Sequence, residues 1–401
     1  MPRRAAWPAA FLSLASAAGA QQPVPQGPPN VPSQEPAFPA QTRAPQRDSG
    51  VPLARESVAD GLVHPWAVEA LPDGRLLVTE RPGRLRVIGY DGSVSAPVQG
   101  LPEVFAQGQG GLLDVKAAPD FEESRRIYWT FSEPRGDGEN GTTLARGRLT
   151  GDMARLEDVE ILFRAEPAWG NDMHYGSRIA FDGEGHLFVT TGERFTEEAR
   201  VLAQDLSTHL GKVMRLSMDG AAPGDNPFAD GDDATRPEIW SYGHRNLQAA
   251  VWDDGRERLV TIEHGPQGGD EINFPEAGRN YGWPVITYGR NYDGTEVGEG
   301  ITKREGMEQP VYYWDPVIAP SGAEIYRGDM FPEWRGSLLV GGLVAQAVVR
   351  IAFEDGRVSG EERLMEGVGR VRDVETGPDG ELYVAIDAED APILRVTRAE
   401  D

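Results

Sequence analysis

The sequence predicts an all-β protein built as a six-bladed β-propeller, with four-stranded blades and long inserted loops on one face. Three observations lead to this prediction. A polar turn followed by a short β run recurs six times, and Gly (49) and Pro (31) fall at short intervals along the 401 residues. Very few stretches have the apolar period of a helix. The best candidate for a short helix is 197–210.

The six repeats follow the chain in order, each with a turn rich in Asp, Gly or Arg before the β run. These runs cover 76–78, 127–129, 187–189, 259–260, 338–340 and 382–384. The spacing is widest around the fourth and fifth repeats, which predicts that long loops are inserted there. A pair of β-sandwiches is the alternative architecture for such a series of turns.

The N-terminal region has a different composition. Residues 1–20 have the features of a signal peptide, because Arg3 and Arg4 precede an apolar run and Ala18-Gly19-Ala20 fits a cleavage site. The run is too short to span a bilayer. Residues 21–54 are rich in Pro and Gln and predict a disordered linker. We therefore expect a propeller domain over 55–401, exported to the periplasm without membrane insertion.

Composition excludes several classes of function. The net charge of −25 argues against nucleic acid or an anionic membrane surface as a partner. The chain has no cysteine, which excludes disulfides, thiolate chemistry, iron–sulfur clusters and Cys-ligated zinc. It has six histidines, so a histidine-based mechanism has few candidates.

Loops between the β runs carry the candidate functional residues. His174 lies just before a blade strand, and its ordinary pKa makes it the natural proton acceptor at neutral pH, although a lone histidine is often structural. The 243–248 loop contains Arg245 and Asn246, a carboxylate-binding fork beside an amide. A surface turn with one salt bridge is the alternative interpretation of this loop.

A second group of loops combines glycines with polar side chains. The Gly- and Pro-rich loop 263–271 exposes carbonyls beside two adjacent carboxylates, a donor set that suits Ca²⁺, although an ordinary acidic loop also fits. Gln109 stands among glycines that let a flat ligand approach the backbone. Arg370 and Arg372 alternate on one predicted strand, so both project to the same side as an anion clamp, or else pair with surface acids. Together these loops suit a planar polycarboxylate cofactor.

Six motifs in a fixed order resemble the glucose/sorbosone dehydrogenase family and, within it, the aldose sugar dehydrogenases. They are GQGGLLDV (108–115), MHYGSRIAF (173–181), GHRNLQ (243–248), HGPQGGDEIN (264–273), NYGWP (280–284) and RVRD (370–373). The resemblance covers about 64–396. It implies a six-bladed propeller that holds pyrroloquinoline quinone (PQQ) over the channel mouth, on the face with the long loops, and oxidises aldose sugars at C1 to lactones with PQQ and Ca²⁺.

The resemblance also implies roles for individual residues. His174 matches the general base that removes the proton of the C1 hydroxyl. Arg245 and Asn246 match the pair at the quinone carbonyl, where Arg245 would stabilise the developing negative charge. Three further positions match residues that hold the cofactor and its carboxylates: Gln109, Arg370 and Arg372.

The implied metal sites lie in the fourth repeat. The carbonyls of Gly265 and Pro266 match ligands of the Ca²⁺ that polarises the quinone. Glu271 and the carbonyl of Tyr281 match a further calcium site, and Tyr292 matches a cofactor-loop position.

Two departures separate this chain from the family pattern. Met173 replaces an aspartate that would charge-pair with the histidine, so we expect the pKa of His174 to lie lower than in the glucose-specific relatives. Val344 stands in the loop where relatives offer a lysine to the cofactor, so the arginines would carry more of the charge.

Two other functions remain open on this fold: a calcium-dependent lactonase-type hydrolase and a non-catalytic binding propeller. The expected partners are a small aldose sugar and an electron acceptor of unknown identity. The sequence leaves the preferred aldose and the oligomeric state open, with a monomer slightly favoured.

Overall fold

The structure is a computed structural model that describes residues 22–231 and 234–399. The expected signal peptide over 1–20 lies outside the described residues. Strand β1 (Leu53–Leu62) is the first strand, and six antiparallel sheets follow it around a common axis.

The strands fall into the six sheets in chain order. The first blade contains β2 (Pro65–Ala70), β3 (Leu76–Glu80) and β4 (Arg84–Ile88). The second contains β5 (Leu112–Ala117), β6 (Arg126–Gly136), β7 (Glu139–Leu149) and β8 (Leu156–Arg164). The third contains β9 (Gly176–Phe181), β10 (His186–Thr191), β11 (Lys212–Ser217) and β12 (Ile239–Tyr242). The fourth blade contains β13 (Leu247–Asp253), β14 (Arg258–Glu263), β15 (Asp270–Asn273) and β16 (Tyr312–Trp314). The fifth contains β17 (Pro320–Ile325), β18 (Leu338–Gly342), β19 (Ala347–Glu354) and β20 (Arg357–Leu364). The sixth contains β21 (Val371–Thr376), β22 (Leu382–Ile386) and β23 (Ala391–Arg398), and β1 is its fourth strand.

The second strand of each blade explains why the repeats were visible in the sequence. These strands are packed between neighbouring sheets, so they read as continuous apolar runs; β3, β18 and β22 are buried at every position. Each of the six repeated β runs lies in one of these second strands: β3, β6, β10, β14, β18 and β22. The predicted six-bladed propeller is confirmed.

The first strands of the blades form a closed ring. Strand β2 contacts β5, and contacts continue through β9, β13 and β17 to β21, which contacts β2 again. Hydrogen bonds between the first and last strands close the ring, because β1 pairs antiparallel with β23, from Leu53 opposite Arg398 to Leu62 opposite Ala391. The last blade therefore contains strands from both ends of the propeller, with β1 as its outermost strand.

The first blade has three regular strands and an irregular outer edge. Beyond β4, Ser95 N donates to Val87 O at 2.9 Å and Val98 N donates to Leu85 O at 2.9 Å. The segment 94–98 thus occupies the place of a fourth strand without regular ladder geometry.

Helical structure is short in the described part of the chain. It comprises α1 (Phe121–Ser124), α2 (Glu197–Arg200) and two 3₁₀ turns, Val201–Gln204 and Pro332–Trp334. The helix expected over 197–210 is therefore present but ends early, because Asp205 adopts an extended conformation. Its start is capped by Thr196, whose side chain accepts a hydrogen bond from Ala199 N at 3.2 Å.

The linker expected over 21–54 differs from the structure. Residues 22–52, which we call the N-terminal strap, pack against the outer edges of the fourth and fifth blades, with Val24, Val31 and Ala44 buried. Gln41 is fully buried and its carbonyl accepts a hydrogen bond from Tyr313 N at 2.8 Å. The prediction of disorder was wrong because hydrogen bonds to the blades, rather than an apolar pattern of its own, hold this segment.

Antiparallel pairing decides where the loops open. In every blade, the connection that enters the first strand and the connection between the second and third strands lie at the same end of the channel. His174 precedes β9, and Arg245 and Asn246 precede β13. Gly265 and Pro266 connect β14 to β15. The propeller thus gathers the candidate residues of different blades at one mouth of the channel.

Candidate active site

A cavity of about 230 Å³ lies at this mouth of the channel. Its wall combines apolar side chains with cationic and amide groups, which suits a flat anionic ligand better than a neutral one. Contributing residues come from every blade: Trp66, Arg81, Gln109, Leu113, Tyr175, Gly176, Asn246, Gln248, His264, Ala319, Leu343, Val344, Arg370, Arg372 and Asp387.

Six residues were predicted to bind the cofactor, and four of them line this cavity. Gln109 is fixed by two contacts: its N–H donates to Asp172 O at 2.8 Å, and its side-chain oxygen accepts from His174 N at 2.9 Å. Asn246 accepts from Gly176 N and from Gln248 Nε2, both at 3.2 Å. Arg370 and Arg372 complete the set. Gln109 therefore links the cavity directly to the loop that carries His174.

The two arginines share one carboxylate. Arg372 Nη2 lies 3.0 Å from Asp387 Oδ2, and Arg370 Nη2 lies 3.8 Å from the same atom. His64 Nδ1 is also 2.8 Å from Asp387 Oδ1. Burial acts to raise the pKa of Asp387, but Arg372 and His64 outweigh it and hold the pKa at about 2. The pair of arginines is therefore partly neutralised, and one positive charge remains available to an anion in the cavity.

His174 lies between this cavity and a second one of about 370 Å³. Its chain neighbours Tyr175 and Gly176 line the first cavity, while Glu193 and Phe195 line the second. The His174 ring packs edge-on against Phe195, with centroids 5.1 Å apart. The imidazole itself lines neither cavity and is 5% exposed, so a ligand would reach it past the residues that separate it from one cavity or the other.

The buried carboxylate of Glu193 fixes the tautomer of His174. Glu193 Oε2 lies 2.6 Å from His174 Nδ1, so Nδ1 carries the proton and donates to it. Within the described part of the chain, Nε2 has no hydrogen-bond partner. Burial lowers the pKa of His174 below its usual value, against the opposing effect of Glu193. The imidazole is thus neutral at pH 7, with an unprotonated Nε2.

Arg194 holds the loop on which His174 stands. Its guanidinium is buried and lies over the Tyr175 ring at 4.2 Å. Nε donates to Met173 O at 2.9 Å, and the two terminal nitrogens donate to Asn140 and to Asn171 O. These bonds satisfy carbonyls on both sides of the loop, which keeps the backbone before His174 in one conformation.

Arg245 lines the second cavity and not the first. Nη1 donates to His264 O at 2.9 Å and to Gly265 O at 2.7 Å, and its backbone N–H donates to Glu263 Oε2 at 2.6 Å. The guanidinium carbon is 5.2 Å from the centre of the Trp283 ring. Its Nε is buried and makes no hydrogen bond with any residue that the structure describes. This unpaired donor is unusual enough to indicate a missing partner.

The expected metal-binding residues divide between two places. Pro266 and Tyr292 line the second cavity, where Tyr292 is largely exposed, at 65%. Gly265, Glu271 and Tyr281 line a small cavity of about 10 Å³, close to the space that one water molecule occupies. The structure therefore places Gly265 with Glu271 and Tyr281 and places Pro266 at another cavity, which differs from the implied pairing of Gly265 with Pro266 and of Glu271 with Tyr281.

The small cavity has two carboxylates in its wall, the buried Glu263 and the half-buried Glu271. Burial and then the nearby Glu263 raise the pKa of Glu271 well above its usual value. The adjacent Asp270 is instead used internally, accepting from the N–H groups of Gly265, Ile318 and Ala319 at 2.8–2.9 Å. Across residues 22–231 and 234–399, no group of three or more His, Asp or Glu side chains could hold a metal. Any cation here would rely on backbone carbonyls besides these carboxylates.

Comparison with known proteins gives the family. The family model described as "Glucose / Sorbosone dehydrogenase" matches residues 62–395. The aldose sugar dehydrogenase YliI of Escherichia coli K12 is 44% identical over 347 residues, which is 85% of this chain and 92% of that protein. The chain belongs to the glucose/sorbosone dehydrogenase family. As a member it is an oxidoreductase.

Solved structures of this family have the same fold. The apo-form of the aldose sugar dehydrogenase of Escherichia coli is 42% identical, with a TM-score of 0.83, covering 86% of this chain and all of that one. The PQQ-bound aldose sugar dehydrogenase of Streptomyces coelicolor is 27% identical, with a TM-score of 0.69, covering 88% of this chain and 99% of that one. In the described part of this family member, no helix is long and apolar enough to cross a membrane.

Sequence reasoning missed several residues of the site in this family member. Glu193 supplies the anion that the substitution by Met173 was expected to remove, so the premise of an unpaired histidine was wrong. Burial lowers the pKa of His174 below its usual value, whereas its order relative to the glucose-specific relatives stays a prediction. Glu193 is separated from the apolar strand β10 by one glycine, and a carboxylate just beyond the end of a blade strand is the signal that could have revealed it. Val344 is 57% exposed and lines the first cavity, at the place of the absent lysine.

His264 was noted only as part of the Gly-rich loop, yet it lines the first cavity. Its Nε2 lies 2.6 Å from Pro320 O, so this nitrogen carries the proton and donates a hydrogen bond to the carbonyl. Burial lowers the pKa of His264 to about 3, so the ring stays neutral. His264 therefore lines the cavity as a neutral polar side chain and holds the start of β17 in place.

Proposed function

We propose that this protein oxidises aldose sugars at C1 to the corresponding lactones, with PQQ as cofactor and Ca²⁺ as an essential ion. The observation that carries the proposal is the environment of His174: a neutral imidazole whose Nδ1 is fixed by Glu193 and whose Nε2 is free, between a cationic cavity and a second polar cavity. A base in this state accepts a proton without first losing one.

The residues present fit PQQ in the first cavity. Arg370 and Arg372 would hold its carboxylates, Gln109 and Asn246 would contact its ring edge, and Arg245 has a buried Nε without a partner among the described residues. When bound, PQQ supplies the acceptor for the hydride that leaves the sugar. Arg245 lines the neighbouring second cavity, so PQQ would have to extend from the first cavity towards the second for Arg245 to stabilise the negative charge that develops on hydride transfer.

The second cavity suits the sugar. Polar side chains from the α2 region and the Tyr292 loop line it, among them Asn171, Glu197, Arg200, Asn291 and Asp293. The C1 hydroxyl donates its proton to His174 Nε2 while the C1–H bond breaks, and the C1–O bond becomes the lactone carbonyl. The carboxylate of Glu193 stabilises the imidazolium that forms, which makes the proton transfer easier.

A cation also fits the wall of the small cavity. The carboxylates of Glu263 and Glu271 line it together with Arg245, and burial raises the pKa of Glu271. Hard oxygen donors of this kind suit Ca²⁺. The Gly265 carbonyl already accepts from Arg245, so a cation at Gly265 and Pro266 would use its second lone pair. When bound there, Ca²⁺ supplies Lewis-acid polarisation.

Reconstitution tests the proposal. Purified cofactor-free protein is mixed with PQQ and Ca²⁺, and a panel of aldoses is supplied together with a dye as electron acceptor. We expect dye reduction only when PQQ, Ca²⁺ and an aldose are all present, loss of activity on adding a calcium chelator, and recovery with Ca²⁺ but not Zn²⁺.

The same assay separates the other two functions. Hydrolysis of lactones without PQQ and without dye reduction would indicate a lactonase-type enzyme instead. Binding of PQQ or sugar without any turnover would indicate a non-catalytic propeller. Either result would contradict the proposed oxidation.

A further inference from the structure

The tip of the N-terminal strap lies against the loop that carries Gly265 and Pro266. The backbone N–H groups of Asn30 and Val31 donate to the two carboxylate oxygens of Asp315, at 2.5 Å and 3.0 Å. The Asn30 side-chain oxygen accepts from Val317 N at 3.0 Å. The turn between β16 and β17 is therefore bound on both sides by two consecutive strap residues.

Arg43 binds two parts of the strap to the backbone of Asp315. Its Nη2 donates to the backbone carbonyl of Asp315 at 2.8 Å and to Gly27 O at 3.0 Å. A single guanidinium thus connects the outgoing and returning arms of the strap to Asp315. Because both its contacts are to backbone carbonyls, changing the Asp315 side chain leaves them in place.

From Asp315 the contacts continue into the 264–270 loop. Gly269 N donates to Trp314 O at 3.0 Å, directly before Asp315 in the chain. At Gly268 an added Cβ would lie 3.2 Å from Val31 Cγ2 and 3.3 Å from Asp315 Oδ1, so strap and loop are in close contact. The loop cannot move outwards at this position without displacing the strap.

The other side of this loop faces the proposed site. Its Gly265 carbonyl accepts from Arg245, and its Gly265 N–H donates to Asp270 Oδ1 at 2.9 Å. The loop is therefore held by Arg245 and Asp270 on the inside and by the strap on the outside. The strap lies outside residues 62–395, which the family model matches.

We propose that the N-terminal strap is a positioning element of the active site, and that Asp315 and Asn30 are positioning residues for the Gly265–Pro266 carbonyls. By restricting opening of the 264–270 loop, the strap slows the release of a cation bound at these carbonyls. The role in cation retention rests on the proposed function, whereas the restriction of the loop does not.

Amide hydrogen exchange of the cofactor-free, full-length protein tests the restriction directly. Asp315→Ala removes the acceptor of two backbone N–H groups, and we expect exchange in 264–270 to become at least about tenfold faster. Asp315→Asn keeps one acceptor oxygen and should give an intermediate rate. The His174 loop over 170–176 serves as an internal reference and should not change.

Ser49→Ala is the matched control on the same strap. Ser49 bonds to Glu362 and Trp334 at the fifth blade, away from the 264–270 loop. The control should leave exchange in 264–270 unchanged. Should Asp315→Ala fail to fold, Asn30→Ala decides, because it removes only the contact with Val317. Unchanged exchange of 264–270 in the folded Asp315 or Asn30 variants, or an equal increase in Ser49→Ala, would overturn the proposal.

A second measurement addresses retention. Protein reconstituted with PQQ and Ca²⁺ is mixed with excess calcium chelator, and the loss of the PQQ absorbance is followed. We expect release about tenfold faster from Asp315→Ala than from Ser49→Ala. Equal release rates would overturn the role in retention. If the unaltered protein binds no PQQ, the proposed function fails, while the exchange experiment still decides whether the strap restrains the loop.

Discussion

Two buried histidine–glutamate pairs in neighbouring blades differ at a single atom. His174 Nδ1 lies 2.6 Å from Glu193, and His244 Nδ1 lies 3.0 Å from Glu263. In His244 the second nitrogen is also used, because Nε2 lies 2.9 Å from Ser241 Oγ. In His174 the second nitrogen makes no hydrogen bond to any described residue. The two pairs therefore have the same carboxylate support but different chemical capacity.

The difference shows that a carboxylate beside a histidine does not make a base by itself. His244 is fully buried, and its ring stacks on Tyr281 at 4.8 Å. Glu263 also accepts from Arg245 N, so the pair holds the Arg245 loop. The series Ser241, His244 and Glu263 has the order of a nucleophilic triad, yet Ser241 is fully buried as well. Only the pair with a free nitrogen beside the cavities can accept a proton from a substrate.

The largest expected effect comes from removing the free nitrogen. His174→Gln should slow reduction of bound PQQ by aldose about 10²–10⁴-fold in a single turnover, because general-base assistance is lost. PQQ binding should persist, since the cavity residues remain. His244→Gln is the matched comparison: it disturbs a pair that holds the Arg245 loop, so it should lower the unfolding temperature and slow the reaction far less than His174→Gln does. Similar rates for both variants would contradict the comparison.

The carboxylate of the catalytic pair should have the next largest effect. Glu193→Gln keeps the shape but offers an amide, whose N–H₂ can donate to Nδ1 and so moves the imidazole proton to Nε2. We expect about a 10- to 100-fold loss in the single-turnover rate, with cofactor affinity unchanged. Glu193→Asp should recover part of the rate. A full rate in the Gln variant would show that the tautomer is set by another group.

The third prediction concerns the anion that the cavity would hold beside His174. Arg372→Ala removes a charge-assisted contact worth about 1.5–3 kcal/mol, so PQQ affinity should fall about 10- to 100-fold. Arg372→Lys should restore charge but not the paired hydrogen bonds. Arg327→Ala, a change at a half-exposed arginine of the opposite end, is the control. Titration of apoprotein with PQQ measures both, and equal affinities would place the clamp elsewhere.

The smallest expected effect is a shift along the pH axis. A neutral His174 is the active form, so the rate should fall as pH drops through its pKa. Burial lowers this pKa, so the fall should be centred below the usual value of about 6.5. Because Glu193 acts to raise the pKa, Glu193→Gln should move the fall to still lower pH. A pH–rate profile of PQQ reduction with its midpoint above that of a free imidazole would contradict this order.

The sequence reveals those parts of the fold and the site that depend on local pattern. The second strand of each blade could be recognised because burial on both faces makes it continuously apolar. The site residues Gln109, Asn246, Arg370 and Arg372 could be recognised because they lie in polar motifs next to predicted strands. Glu193 could not, because its partner His174 is brought to it by pairing of β9 with β10. The strap was misjudged because its burial depends on hydrogen bonds to distant blades.

The pairing of β1 with β23 has a consequence for the order in which the protein is made. Leu53 finds its partner only when Arg398 has been synthesised, so the circle of blades stays open until the last blade has been made. Arg372 and Asp387 belong to that last blade, and the first cavity lacks a wall until the blade docks. A truncated chain that lacks this blade should therefore be unable to hold a ligand in the first cavity, even if its other five blades have formed.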